Sequence, residues 1–315
     1  MILTVTMNPS IDISYPLEEL KIDDVNRVQN VSKTAGGKGL NVARVIHQLN
    51  EDVITTGIVG GHHGEFLKAE LDKDGIRHKF SNCKGETRDC IAILHEGKQT
   101  EVLEPGPTIE KNEIESFIKN FEKLIDQVDV LTISGSLAKG LPDSFYADLI
   151  RLSNKKGIKT LLDSSGKYLE NALHSDLKPF LIKPNHHELS ALLKTTINAN
   201  DTEGIVEALQ NEIFNDIEWI VVSLGADGAL VKHENKFFKA DIPSINVVNP
   251  VGSGDSTIAG LAIAIDKKKN TEEVIKYGMT CGLLNTMNKK TGYVDASQFE
   301  TYFNKTTITE IHPQD

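Results

Sequence analysis

The chain has 315 residues, enough for one large α/β domain or two ordinary ones with a substantial buried core. Its formal net charge is −11, from 45 acidic against 34 basic residues, which argues against nucleic acid or an anionic membrane as a partner. Three cysteines, Cys83, Cys90 and Cys281, form no C-x-x-C pair and no even framework, so a reducing compartment and three small buried hydrophobes are expected.

The first element is a strand, "ILTVT" (2–6), and its apolar run meets Pro9 and Asp12 too soon for a signal segment or a membrane span. A cytoplasmic protein is expected. Further β-branched runs follow at "DVITTGIV" (52–59), "DVLTIS" (129–134), "IKTLLD" (158–163), "PFLIK" (179–183) and "WIVVSLG" (219–225). Amphipathic stretches alternate with them, among them "LNVARVIHQL" (40–49), "FYADLIRLSNKKG" (145–157) and "TEGIVEALQNEIF" (202–214). This order predicts an α/β fold whose parallel sheet is covered on both faces, with ligands at the carboxyl ends of its strands.

Two stretches depart from that rhythm. "VNRVQNVSKT" (25–34) and "TRDCIAILHEGKQTEVLEP" (87–105) alternate with period two and hold no helix. They predict a small β-insertion, covering about 12–34 and 86–105 of a single domain, which is either a lid over the main sheet or a plain hairpin decoration. The tail "IHPQD" is expected to fray.

Two glycine-rich segments carry the chemistry, and neither is a standard nucleotide motif. In "NPVGSGDSTIAG" (249–260), Thr257 stands where a dinucleotide fingerprint needs its third glycine. In "SKTAGGKGLN" (32–41), Ser32 and Gly39 replace the first glycine and the Ser/Thr of a P-loop. What remains at 252–255 is a Gly-Ser-Gly turn followed by Asp255 at the mouth of an apolar helix. Backbone donors beside a carboxylate suit phosphoryl transfer to an alcohol; a plain helix cap is the other role open to Asp255. The helix dipole should make that carboxylate a weak base. At "AGGKGLNVA" (35–43), tandem glycines would let substrate hydroxyls touch the main chain, and Asn41 offers both a donor and an acceptor. Lys38 is either part of that site or a surface lysine beside a tight turn.

"AGGKGLNVA" and "NPVGSGDSTIAG", in that order, resemble the paired signatures of the ribokinase-like, or pfkB, family of carbohydrate kinases. "MNPSID" (7–12), "ISGSL" (133–137), "DSSG" (163–166), "KPNHHEL" (183–189) and "SLGADGAL" (223–230) extend the likeness over essentially the whole chain, closest to the family's sugar-phosphate kinases. One departure is Ser253, where the family usually has a small nonpolar residue.

The resemblance implies a three-layer α/β/α fold with a mostly parallel central sheet and a small β-lid. It implies ATP and Mg²⁺, with Asp255 as base and the amides of Gly252, Ser253 and Gly254 as an anion hole. Asp12, Gly36, Gly37, Lys38 and Asn41 match sugar-contacting positions, while Arg27, Arg88 and Ser136 would hold the phosphate already on the substrate. An arginine fork suits that task. On the nucleotide side stand Lys183, Asn185, Ser223, Gly225, Gly228 and Asn285, with Glu188 ordering Mg²⁺ through water. His186 and His187, adjacent on a helix, are expected to be solvated histidines and not metal ligands. The implied reaction is phosphorylation of D-tagatose 6-phosphate at C1, as in lactose and galactose breakdown. Fructose 1-phosphate as substrate, or a nucleotide-sensing regulator on the same scaffold, are the alternatives. A homodimer formed through the lid is also expected.

Overall fold

Strand β1 (Ile2–Thr6) has all five residues buried, because its side chains alternate between two separate apolar layers. Leu3 and Val5 join one core with Phe117, Phe121 and Tyr146; Ile2 joins the other with Leu40, Leu67 and Leu261. A sheet with two covered faces is the arrangement that continuous apolar strands require. The structure, a computed structural model, describes residues 1–312.

The chain runs from β1 into β2 (Ser10–Pro16) and β3 (Ser32–Gly36), then α1 (Lys38–Gln48), β4 (Val53–Gly60), α2 (Gly61–Lys73), β5 (Arg77–His78) and β6 (Ser81–Cys83). It continues through β7 (Arg88–His95), β8 (Lys98–Leu103), α3 (Lys111–Ile125), β9 (Val130–Ser134), α4 (Phe145–Asn154), β10 (Lys159–Asp163), α5 (Lys167–Leu173) and β11 (Leu181–Ile182). Then come α6 (His186–Leu193), α7 (Thr202–Ala208), β12 (Trp219–Ser223), β13 (Ala229–His233), β14 (Lys236–Asp241), α8 (Ser253–Asp266), α9 (Thr271–Thr286), α10 (Phe299–Lys305) and β15 (Thr307–Ile311).

The large sheet has the order β15-β14-β13-β12-β11-β10-β9-β1-β4-β5, with β6 also paired to β4. From β12 across to β5 every pairing is parallel; β13, β14 and β15 add an antiparallel edge. Residues of α3 to α7 cover one face, and residues of α1, α2, α8, α9 and α10 the other. This is the ribokinase-like α/β fold.

A second sheet of four strands, β3-β2-β7-β8, stands apart from the first. It uses the two stretches that alternate with period two, but less of the first than expected: residues 25–30 form no strand, and β2 lies earlier, at "SIDISYP". The helix read over 202–214 is also shorter. It ends at Ala208, and Asn211, accepting from the Ile213 amide, begins a separate 3₁₀ turn at Glu212–Phe214. Cys83 and Cys281 are buried, whereas Cys90 is only partly buried on the small sheet, where residues on both faces of β7 keep some exposure. Ile311 pairs with Phe237 and belongs to β15 rather than to a frayed tail; Pro313–Asp315 lie outside the described residues. No helix among the described residues is long and apolar enough to cross a membrane.

Candidate active site

The predicted residues gather where parallel strands end. Asp163 closes β10, Lys183 follows β11, Ser223 closes β12, and the amino ends of α1 and α8 open onto the same edge. Carboxyl ends of parallel strands and helix amino termini both favour an anionic ligand there.

Gly252 caps α8 in the left-handed region, at φ 81°, and a side chain there would lie 2.6 Å from the Thr291 methyl. Torsion and space both demand glycine. The Ser253 amide is engaged by the Pro250 carbonyl at 3.2 Å, so of the expected donors the Gly252 and Gly254 amides, joined by that of Asp255, have no protein acceptor among the described residues. Gly254 also lets Lys183 approach: its missing Cβ would stand 3.1 Å from Nζ.

Asp255, the third residue of α8, is only 5 % exposed, and its Oδ2 accepts from Asn41 Nδ2 at 2.8 Å. Burial, followed by the charge of Asp163, pushes its carboxyl up to about 6; Lys38, the Asn41 hydrogen bond and Lys183 pull the other way. The weak base expected from the helix dipole is therefore not what forms. Desolvation of the carboxylate outweighs the dipole, and the result is a base matched to neutral pH.

Asp163 joins the two halves of the site. Its Oδ1 lies 3.3 Å from Lys183 Nζ and its Oδ2 3.7 Å from Lys38 Nζ. It is as buried as Asp255, and burial alone would raise its carboxyl, yet Lys183 and Lys38 together hold it below the ordinary value. Lys38, drawn upward chiefly by Asp163, stays charged. It runs over Gly135, whose absent side chain leaves the room.

Near the small sheet, Asp12 accepts from Ser10 Oγ at 2.7 Å and rests on the Gly36 backbone, where any side chain would collide with its carboxylate. Burial raises the Asp12 carboxyl. Gly37 holds φ 116° between β3 and α1. Arg88 donates from Nε and Nη2 to the Asn8 carbonyl and from Nη1 to that of Glu104. Three of its five N–H groups are thus used, leaving two free. Ser136 is exposed and its carbonyl accepts from the Tyr146 hydroxyl. Arg27 is exposed on the loop between β2 and β3 and has no hydrogen bond or ion pair among the described residues.

On the other side, Asn185 caps α6 by accepting from the Glu188 amide, and Glu188 Oε2 accepts from the Asn185 amide. This box leaves Oε1 of Glu188 without a partner in the box. Gly225 and Gly228, at φ 62° and 78°, shape the turn after Ser223. The rings of His186 and His187 lie 3.9 Å apart at the start of α6. Two placements differ from expectation. Asn285 is fully buried: its amide donates to the Val251 carbonyl and accepts from the Gly292 and Tyr293 amides, so it braces the loops around the site and cannot face an adenine. Asn41 turns its amide to Asp255 and to Arg44, not to an open cavity. "DSSG" assigns Asp163 no role by itself; its partners, the buried Lys183 and the half-exposed Lys38, lie in two other motifs.

A water-poor base, backbone donors at a helix mouth and two tethered lysines define a phosphotransferase that acts on an alcohol. The chain belongs to the pfkB family of carbohydrate kinases, which is matched over residues 5–297. It is 51 % identical over 311 residues to the tagatose-6-phosphate kinase of Staphylococcus epidermidis, covering 99 % of this chain and all of that one. Phosphofructokinase-2 of Escherichia coli shares its fold: in the complex with potassium the TM-score is 0.87 at 28 % identity, covering 96 % of this chain and 98 % of the other. In the complex with fructose-6-phosphate the TM-score is 0.86 at 27 % identity, with the same coverage.

Proposed function

We propose that the chain transfers the γ-phosphoryl group of ATP to the C1 hydroxyl of D-tagatose 6-phosphate, giving tagatose 1,6-bisphosphate and ADP. The hydroxyl oxygen bonds to the γ-phosphorus, the bond from that phosphorus to the β,γ-bridging oxygen breaks, and the hydroxyl proton passes to Asp255. The carrying observation is Asp255 itself, buried, raised to about 6 and facing the Lys38 segment through Asn41. The likeness to the Staphylococcus epidermidis enzyme supports the choice of sugar.

Arg27, Lys38, Arg88 and Ser136 would bind the 6-phosphate, with the two spare N–H groups of Arg88 as a fork. Asp12, Gly36 and Gly37 would take the sugar hydroxyls. The amides of Gly252, Gly254 and Asp255, with Lys183, would stabilise the moving phosphoryl group; Asn185, Ser223, Gly225 and Gly228 would border the nucleotide. Mg²⁺ suits the site because its donors are carboxylate oxygens, and Asp163 Oδ2 is buried without a hydrogen-bond partner. Glu188, whose second oxygen is free of the capping box, would hold it through water. The ion would neutralise triphosphate charge.

The small sheet exposes Leu94, Val102 and Leu103 on strands β7 and β8, and Val31 beside β3. Leu94 and Leu103 share one face of the sheet and Val102 the other; exposed apolar side chains on a small sheet suit a second copy, and a homodimer through this lid is part of the proposal. The free cysteines suit a cytoplasmic location.

The test is ADP release with tagatose 6-phosphate, fructose 6-phosphate and fructose 1-phosphate in parallel. The expected result is the highest kcat/KM with tagatose 6-phosphate. A higher value for either fructose phosphate replaces the substrate, and ATP binding without turnover of any of the three makes the chain a nucleotide-sensing protein.

A further inference from the structure

We infer that Arg44 is a positioning residue for the reaction: acting through Asn41, it fixes which way the Asp255 carboxylate faces. The inference rests on Asp255 being the base. Asn41 and Arg44 are three residues apart on α1 and so share a face of the helix. Arg44 Nη1 donates to Asn41 Oδ1 at 3.0 Å, and Asn41 Nδ2 donates to Asp255 Oδ2 at 2.8 Å.

The chemistry of the three groups permits one arrangement only. A guanidinium donates and never accepts, so the amide atom facing it must be the carbonyl oxygen. An ionised carboxylate accepts and never donates, so the atom facing Asp255 must be the amide nitrogen. Arg44 therefore selects the amide orientation that favours the charged base. It also commits Oδ2, leaving Oδ1 as the oxygen for the hydroxyl proton. Without Arg44 the amide can turn over and set its oxygen against the carboxylate.

A simpler reason for Arg44, an ion pair with Asp74, does not account for its position. The nearest approach, Nε to Asp74 Oδ2, is 3.9 Å, and Asp74 is 47 % exposed, whereas the Arg44 side chain is 14 % exposed. Exposed pairs of that length contribute little, and a guanidinium is buried only where its donors are satisfied. Its shortest bond, 2.7 Å from Nη2, goes to the carbonyl of Ala35, the residue before Gly36 in β3. Arg44 thus ties the base, through Asn41, to the strand that carries the sugar-side glycines.

Other charges act on Asp255 as well: Asp163 from β10, Lys38 from α1 and Lys183 after β11. Asp12 from β2 and Asp74 after α2 face Arg44. None of these depends on the Asn41 amide; because Arg44 also lowers the Asp12 carboxyl and holds the Ala35 carbonyl, Asn41→Ala, which removes only the link to Asp255, isolates the orientation effect.

The test is the pH dependence of kcat for ADP release with tagatose 6-phosphate and MgATP, in wild type, Arg44→Met, Arg44→Lys, Asp255→Asn and the Asp255→Asn/Arg44→Met double variant. Arg44→Met should lose about 10–100-fold in kcat, the usual cost of losing an outer partner that orients a working group. Its KM for ATP should not change, and its acidic limb should move to higher pH, because the charged carboxylate loses a hydrogen bond. Arg44→Lys, which keeps a donor, should recover most of both. The double variant should be no slower than Asp255→Asn alone. An unmoved acidic limb, a change confined to KM or melting temperature, or losses that add in the double variant overturn the inference about Arg44 and leave the base reading standing. Near-wild-type turnover by Asp255→Asn sinks both. Should Arg44→Met not fold, Asn41→Ala decides: its acidic limb must move up, and an unmoved limb overturns the inference.

Discussion

The ammonium group of Lys183 lies against the backbone of Gly254, so close that a methyl group on that glycine would stand 3.1 Å from Nζ. Gly254 is the second residue of α8, and alanine in a helix is favoured over glycine by about 1 kcal/mol. Gly254→Ala should therefore raise the melting temperature slightly or leave it unchanged. The displaced lysine should lower kcat by about 10²-fold, the scale of an ångström-sized misplacement. Thermal unfolding and turnover measured on one preparation check both signs.

For Asp255, activity requires the ionised form, so kcat/KM should climb as pH rises through about 6 and fall on the acid side. Asp255→Asn should cost about 10²–10⁴-fold in kcat while ATP still binds. Stability should respond in the opposite sense. A carboxyl raised in the folded state takes up protons more readily there than in the unfolded chain, so the wild type gains stability as pH falls from above 6 toward 3.8. The asparagine variant, lacking that buried charge, should be the more stable protein at pH 7 and should lose its advantage in acid.

Asp163→Asn should be destabilising by about 3–5 kcal/mol at neutral pH, because it leaves Lys183 buried without its counter-charge. The carboxyl of Asp163 is held below its ordinary value, so its contribution is present above pH 3.8 and lost as pH falls through the lowered value. Urea titrations of the two proteins should converge in acid; equal stability at pH 7 would contradict the bridging role.

Arg88→Ala should raise KM for the sugar phosphate about 10–100-fold, from roughly 1.5–3 kcal/mol of charge-assisted hydrogen bonding, with KM for ATP little changed. Equal losses on both substrates would remove Arg88 from the phosphate clamp and leave it as a strut between Asn8 and Glu104.

Much of this architecture was legible in the sequence because the signals are local. "WIVVS" is apolar on both faces and the β-branched "ILTVT" is buried throughout, as a covered parallel strand requires, and the two glycine segments open helices as read. What escaped depends on partners far along the chain. Asn285 reads as a polar residue available to a ligand until Val251, Gly292 and Tyr293 are seen to consume its amide. Asp163 looks like one acid among 45 until the fold sets it between Lys38 and Lys183. The strand "SIDISYP" alternates polar and apolar residues and falls mostly within the expected 12–34 insertion, but its exact start is set by its pairing with β3 and β7. The raised carboxyl of Asp255 could not be foreseen from a motif, since burial belongs to the fold and not to the spacing.

Between the last residue of β3 and the first of α1 there is a single residue, Gly37. The small sheet and the helix bearing Lys38, Asn41 and Arg44 therefore share an articulation without slack. Any tilt of the small sheet reaches the helix end beside it within one peptide unit, so moving that sheet and realigning Lys38, Asn41 and Arg44 are mechanically one event.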